Sequence, residues 1–391
     1  MELYFAKYFY RMDEIMKKSI TPNQIKENNR NLIYHYIYTN KKVSQMDISY
    51  DLHLSRPTVT SNLTELEEDG MVIKDGQIDT EFVGRKAAAY KIAKDFRIGI
   101  GVEILRNEIK IIAVNLYGEN IKRFAYEIPY RNEDSYFQDV CQKILAFKES
   151  LNISDIQILG VGFAMQGLIS PDSKTVLYGK ILNCTGLSIT AFTRYLPYPC
   201  SFIHDADSAA IAELWISPDL KDAFYLSISK HLGASLITER KLIRGDHGHS
   251  STIEHIEMDP NGKLCYCGKY GCMETFCSLD ALLKSDENID NFFENVRAHQ
   301  TEACTRWENF LKHLAKAINL LHLIYDKTFI LGGYIAPYLT ESDLTFLYEE
   351  IKKITPFPET SDFLQISKMP EHNITIGAAL PYIQLFLENQ K

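Results

Sequence analysis

Between Gln24 and Tyr38 the apolar residues Ile25, Leu32, Ile33, Tyr36 and Ile37 recur at helical spacing, which predicts one amphipathic helix. Ser44 is placed to cap a second, with Ile48 and Leu52 on one face and a short turn, His53-Leu54, at its end. Ser55 caps a third. Its Arg56-Pro57 start suits proline's fixed φ and missing N–H, and Val59, Leu63 and Leu66 mark a buried stripe that runs out at Gly70. Beyond it, MVIKDG and FVGRKAAAYKI read as two strands of a wing, with Gly84, Arg85 and Lys86 at or near its tip.

Two short helices joined by a tight turn form a helix-turn-helix, whose second member enters the major groove by its N-terminal end. That end carries Ser55, Arg56, Thr58, Ser61 and Asn62, short polar groups and one arginine suited to base edges and phosphates. Arg85 and Lys86 on the wing are placed for backbone phosphate or the minor groove. Double-stranded operator DNA is the expected partner, and two half-sites call for a homodimer or a higher oligomer. A helical oligomerisation domain is the alternative, since this front part is not net basic. Residues 1–20 read as a partly helical arm.

From Ile98 the pattern changes. Ile98–Ile104, Glu108–Asn115 and Ile121–Ile128 read as strands, followed by a helix over Ser135–Ser150 and a buried strand over Gln157–Phe163. A similar alternation returns with Ala223–Ile228, Ser235–Thr238, long helices near 302–325 and the buried strand Thr328–Leu331. The reading is an α/β body of two similar lobes flanking a cleft. The last apolar run, Ile376–Leu387, reads as a helix returning to the first lobe, with a break at Pro381.

With 391 residues, 46% of them hydrophobic, the chain has material for two or three domains. No apolar run approaches the roughly 18 residues of a membrane span, and the start is too charged and aromatic for a secretory signal, so the expectation is a cytoplasmic protein without a membrane partner. The net charge of −9 falls on the part after residue 95. Of eight cysteines, Cys141, Cys184, Cys200, Cys277 and Cys304 are dispersed among apolar residues, which argues for free thiols in a reducing compartment. The other three, Cys265, Cys267 and Cys272, lie in C-x-C-G-x-x-G-C, with His255 ten residues upstream of the first. Three thiolates and an imidazole close a tetrahedral zinc site and leave no position for water, so the predicted cofactor is a structural Zn²⁺. A buried run of ordinary cysteines is the plainer alternative. His247 and His249 lack ligand spacing and read as loop residues.

The segment from Gly245 to Ser278 resembles the signature of the ROK family of bacterial sugar kinases and sugar-responsive repressors, which runs Gly-Glu-x-Gly-His and then the cysteine cluster followed by x-Glu. Thr252 stands at the family's Glu and Glu254 at its Gly. The resemblance implies an N-terminal winged helix-turn-helix (21–95) after the arm (1–20), then a two-lobed actin-like (ribonuclease H-like) ATPase fold (96–391) with its zinc cluster at 255–272. It implies that His255, Cys265, Cys267 and Cys272 hold the metal, and that Asn183, Asp205, His255 and Glu274 bind a sugar or sugar phosphate. In FIHDADSAAIAE, Asp205 matches the catalytic aspartate of the kinases. The kinases' phosphate-binding glycine turns are degraded at two of three places. Glu103, Ile104, Leu105 and Arg106 replace the first, SKHLGAS keeps only Gly233 of the second, and Gly332-Gly333 remains of the third. The expectation is a sugar-responsive transcriptional regulator, a repressor rather than an enzyme; the alternative is an ATP-dependent sugar kinase with Asp205 as base.

Overall fold

The computed structural model describes residues 21–78, 87–358, 362–369 and 371–390. They fall into two compact units: the chain up to Arg97 together with its last residues from Gln384, and Ile98–Ile383.

In the front unit, helix α1 (Pro22–Asn40) starts from a Thr21/Gln24 capping box and buries Ile33, Tyr34 and Ile37. Ile25, assigned to that face from its spacing, is 49% exposed, because the first turns of α1 lie beyond the packed surface. Helix α2 (Gln45–Asp51) is capped by Ser44, whose hydroxyl accepts from Asp47 N–H while the Asp47 carboxylate accepts from Ser44 N–H. His53, at φ 53°, turns the chain, and helix α3 (Arg56–Glu68) begins behind Ser55. Strands β2 (Val72–Ile78) and β3 (Ala87–Ile92) pair antiparallel as the wing, and a two-residue strand β1 (Val43–Ser44) adds to β3. Two residues give no periodic signal, so β1 was not readable in advance. The wing tip with Arg85 and Lys86 lies outside the described residues.

In the body, β4 (Ile98–Ile104), β5 (Ile109–Val114) and β6 (Asn120–Tyr126) form an antiparallel meander. Helix α4 (Asp134–Glu149) leads to β7 (Ile158–Met165), parallel to β4, while β8 (Leu168–Ile169) and β9 (Val176–Tyr178) form a small hairpin. After α5 (Thr190–Thr193), β10 (Cys200–His204) runs parallel to β7 and opens directly into α6 (Asp205–Ile216). The plan then repeats. Strands β11 (Ala223–Ile228), β12 (Leu232–Thr238) and β13 (Lys241–Leu242) form a second meander; the short helices α7 (Glu274–Cys277) and α8 (Leu279–Leu282) follow, then α9 (Ile289–Arg297) and α10 (Thr301–His322). Strand β14 (Thr328–Gly332) lies parallel to β11, and after α11 (Glu341–Ile354), β15 (Leu364–Ile366) lies parallel to β14. The sheet orders β10-β7-β4-β5-β6 and β15-β14-β11-β12-β13 are the same arrangement used twice, although the sequence shows no internal repeat.

Helix α12 (Asn373–Asn389) closes the chain, and Pro381 sits inside it instead of breaking it. It crosses the first sheet at backbone contact, since a Cβ on Gly101 would stand 1.8 Å from Thr375 O and one on Gly162 1.9 Å from Ala378 O. Its final turns belong to the front unit, where Phe386 lies 6.4 Å from Phe96. Among the described residues no helix is long and apolar enough to cross a membrane.

Candidate functional site

Asp205 is the first residue of α6, so its carboxylate sits at the positive end of a helix and accepts from Ala206 N–H at 2.8 Å. Next to it, His204 Nε2 is 3.3 Å from Asp205 Oδ1. Both line a cleft of about 170 Å³ whose other walls come from the β8–β9 hairpin, from His231 and Leu232 at the start of β12, and from the segment containing Thr252, Glu254, His255 and Tyr266. A cavity of about 150 Å³ holds one benzene ring, so this is room for a single-ring ligand.

The cysteine loop supports that last wall. Donor atoms of His255, Cys265, Cys267 and Cys272 all lie within 4.8 Å of one another, with Cys267 Sγ 3.7 Å from Cys272 Sγ and His255 Nδ1 3.8 Å from Cys265 Sγ. A tetrahedral ion with thiolates at about 2.3 Å and an imidazole at about 2.0 Å sets its ligands about 3.5–3.8 Å apart, so the four residues fit a metal ion. The loop closes because Gly271, at φ 69°, passes Asp259 so closely that a Cβ would stand 1.6 Å from its carbonyl oxygen. The Tyr266 ring, carried between Cys265 and Cys267, is wedged edge-on beside His255 and His231, at 5.1 and 5.4 Å.

Several expected site residues move. Glu274 does not line the cleft: it is buried, with Oε2 accepting from Leu232 N–H at 2.7 Å and Oε1 2.7 Å from His231 Nδ1, so it acts from behind the wall by fixing His231. Asn183 is exposed on a left-handed turn at φ 53°, and the chain presents Lys180 and Ile181 to the cleft in its place. Thr252 lines the cleft, but its hydroxyl donates to His249 O at 2.9 Å. Asp205 and His255 do come together there. Reading the sequence missed His204, His231, His249, Glu254 and Tyr266 as cleft residues. Glu254 alone had a signal, a carboxylate two positions from the one the family signature lacks. Burial pushes its carboxyl up to about 7, and the charges of Glu274 and Asp205 add to this.

The three segments that the family resemblance matches to the kinases' phosphate turns are joined here by one tyrosine. Tyr334, directly after Gly332-Gly333, donates its hydroxyl to Glu103 Oε1 at 2.7 Å, accepts from Lys110 Nζ at 2.8 Å, and gives its N–H to Ser229 Oγ at 3.3 Å. Thr375 donates to the other Glu103 oxygen at 3.1 Å. The glycine pair serves packing, since a Cβ on Gly332 would stand 2.0 Å from the Tyr225 hydroxyl and one on Gly333 2.6 Å from Ile228 N. Burial holds the Glu103 carboxyl above its usual range. A raised native value means that its contribution to stability is complete at pH below the unfolded value and is lost as pH rises through the native one. Glu103→Gln is therefore expected to gain stability relative to the parent as pH rises above the ordinary carboxylate range in denaturant titrations, and an unchanged difference would contradict this.

In the front unit, Ser55, Arg56 and Ser61 are exposed and Thr58 is half-buried, with the Ser55 and Thr58 hydroxyls 2.8 Å apart. Asn62 is a correction: it is 2% exposed and donates Nδ2 to Thr58 O at 2.8 Å, because it shares the inward stripe of Val59, Leu63 and Leu66. Thr60 and Thr64 take the outward places, as the i+4 and i+8 partners of Arg56.

A duplicated five-stranded sheet opening on a cleft, with an aspartate at a helix N-terminus and a His-Cys₃ cluster beside it, is the actin-like architecture of carbohydrate kinases and their relatives. The chain belongs to the ROK family, whose profile matches residues 99–380. It is 28% identical over 289 residues to a xylose repressor of Caldicellulosiruptor bescii, covering 73% of this chain and 71% of that one. It is 24% identical over 261 residues to the DNA-binding transcriptional dual regulator NagC of Escherichia coli K12, covering 66% and 64%. Among solved structures, a ROK family transcriptional regulator homologous to the E. coli MLC protein superposes with a TM-score of 0.70 at 20% identity, over 93% of this chain and 98% of that one. A ROK family glucokinase from Streptomyces griseus, in complex with glucose and AMPPNP, gives 0.66 at 20% identity over 73% and 99%.

Proposed function

We propose that this protein is a sugar-responsive transcriptional repressor. Its front unit binds operator DNA as a dimer through the exposed start of α3 and the wing, and its body binds a small carbohydrate in the Asp205–His255 cleft. His255, Cys265, Cys267 and Cys272 would hold a structural zinc, which supplies no chemistry beyond fixing the wall that carries His255 and Tyr266. The observation that carries the regulator reading over the kinase is Tyr334. Its hydroxyl is bonded to the buried Glu103 carboxylate across the segments that the family resemblance matches to the phosphate turns, where a nucleotide would need open, donor-lined backbone. The names of the relatives, a xylose repressor and a DNA-binding transcriptional dual regulator, point the same way. Ligand bound in the cleft favours one arrangement of the body, and by reciprocity it changes DNA affinity by the same factor that DNA changes ligand affinity.

The test is selection of bound duplexes from a random pool, repeated with a sugar panel. A recovered inverted repeat whose binding one sugar changes by roughly five-fold or more is the expected result. A kinase reading draws on Asp205 at the helix start. It predicts ATP turnover with some hexose and loss of that turnover in Asp205→Asn; such turnover, with no duplex recovered, would reverse the assignment.

A further inference from the structure

The exposed side of α3 has less hydrogen-bonding capacity to offer than its residue types suggest. Thr60 and Thr64 are both exposed and stand one helical turn apart. The Thr60 hydroxyl donates to Arg56 O at 2.8 Å, and the Thr64 hydroxyl donates to Thr60 O at 3.0 Å. Each side chain therefore spends its one proton on the backbone a turn earlier. Thr60 is held from a second side as well. Gln45, the first residue of α2, gives its side-chain amide to the Thr60 hydroxyl and, at 3.3 Å, to Arg56 O. This clamp ties the two helices of the motif together and fixes the Thr60 rotamer.

A threonine Cβ carries one oxygen, one methyl and one hydrogen. With the oxygen turned back onto the helix, the group left to meet an incoming surface is the methyl. Neither threonine has a proton left for the acceptors of a base edge. In the major groove the matching apolar feature is the C5-methyl of thymine, which the other three bases lack. Four residues of helix advance about 6 Å, close to two base steps of about 3.4 Å, so the two methyls can meet two bases of one half-site.

We infer that Thr60 and Thr64 read thymine, by contact of their methyl groups with its C5-methyl in the major groove, and so fix part of the operator sequence. This rests on the DNA-binding reading of the front unit and names what that surface recognises.

Gel-shift titration of the full-length protein tests it. The probes are the duplexes recovered from the random pool, resynthesised with deoxyuridine in place of thymidine at one position at a time. That exchange removes the C5-methyl and keeps every hydrogen-bonding group of the base. Loss of the methyl at a contacted thymine is expected to weaken binding by roughly four-fold. The double variant Thr60→Ser/Thr64→Ser keeps both hydroxyls for the helix carbonyls, so it should melt as the parent does. It is expected to bind the thymine duplex more weakly and to lose the distinction between thymine and uracil. Thr345→Ser is the control: it trims another exposed threonine, on α11, whose hydroxyl donates to Glu341 O at 2.9 Å, and it keeps the full penalty. Uracil tolerated at every position by the parent, or a penalty that survives in the double variant, overturns the thymine reading and leaves DNA binding standing. Failure to recover any duplex overturns both.

Discussion

After exhaustive dialysis against metal-free buffer the protein is expected to retain about one zinc per chain, and Cys272→Ser to lose it together with ligand binding. Cys272 is buried, so the serine leaves three donors around a site that needs four. The loss does not stop at the cluster, because the same loop holds Tyr266 against His255 and His231. Without the ion those walls of the cleft are expected to loosen. Losing a bound structural ion removes several kcal/mol from the folded state, which for a body of this size lowers its melting temperature by on the order of 10 °C. Cys200→Ser, a thiol outside the cluster, is the control and keeps its zinc. A folded, zinc-free parent that melts at the same temperature with and without chelator would remove the metal from the account.

Arg56→Ala is expected to weaken binding to the selected operator by roughly 10- to 100-fold, about 1–3 kcal/mol, with the melting temperature unchanged. Arg56 is exposed at the first position of α3, where under the proposed function its guanidinium would reach a base edge or phosphate. Asn62→Ala should behave in the opposite way. Its amide caps the Thr58 carbonyl inside the unit, so truncation costs stability by about 1 kcal/mol and leaves the affinity of the folded protein within about two-fold. Gel-shift titration alongside thermal denaturation separates the two effects. A strong loss of DNA affinity in Asn62→Ala at full stability, with none in Arg56→Ala, would place the DNA surface elsewhere.

The two variants also show how far the sequence could be read. The start of α3 was visible from Ser55 and Pro57, since capping and proline geometry act over three or four residues. Which residues face outward was not fully visible: Asn62 looked like a groove residue by type, yet its place between Val59 and Leu66 put it inward. In the cleft the same limit is stronger. Glu274 was singled out by the family resemblance, but Leu232 N–H and His231 take up its carboxylate, and both come from β12 and the turn before it, some forty residues earlier.

The sequence by itself determined what short-range chemistry fixes. Local pattern was enough for three helices, two of them with a cap, before a two-stranded wing, for four metal-ligand candidates close along the chain, and, through the family resemblance, for phosphate turns that have lost their glycines. The sequence also contained the shift of a carboxylate from position 252 to 254. Only the tertiary structure decided that the two lobes share one strand order, that Tyr334 bonds both Glu103 and Ser229, and that Glu254 rather than Asn183 or Glu274 faces the cleft. Those outcomes depend on how distant strands pair and which way each turn sends its side chain. Such choices are settled by packing across the whole body, and no local pattern records them.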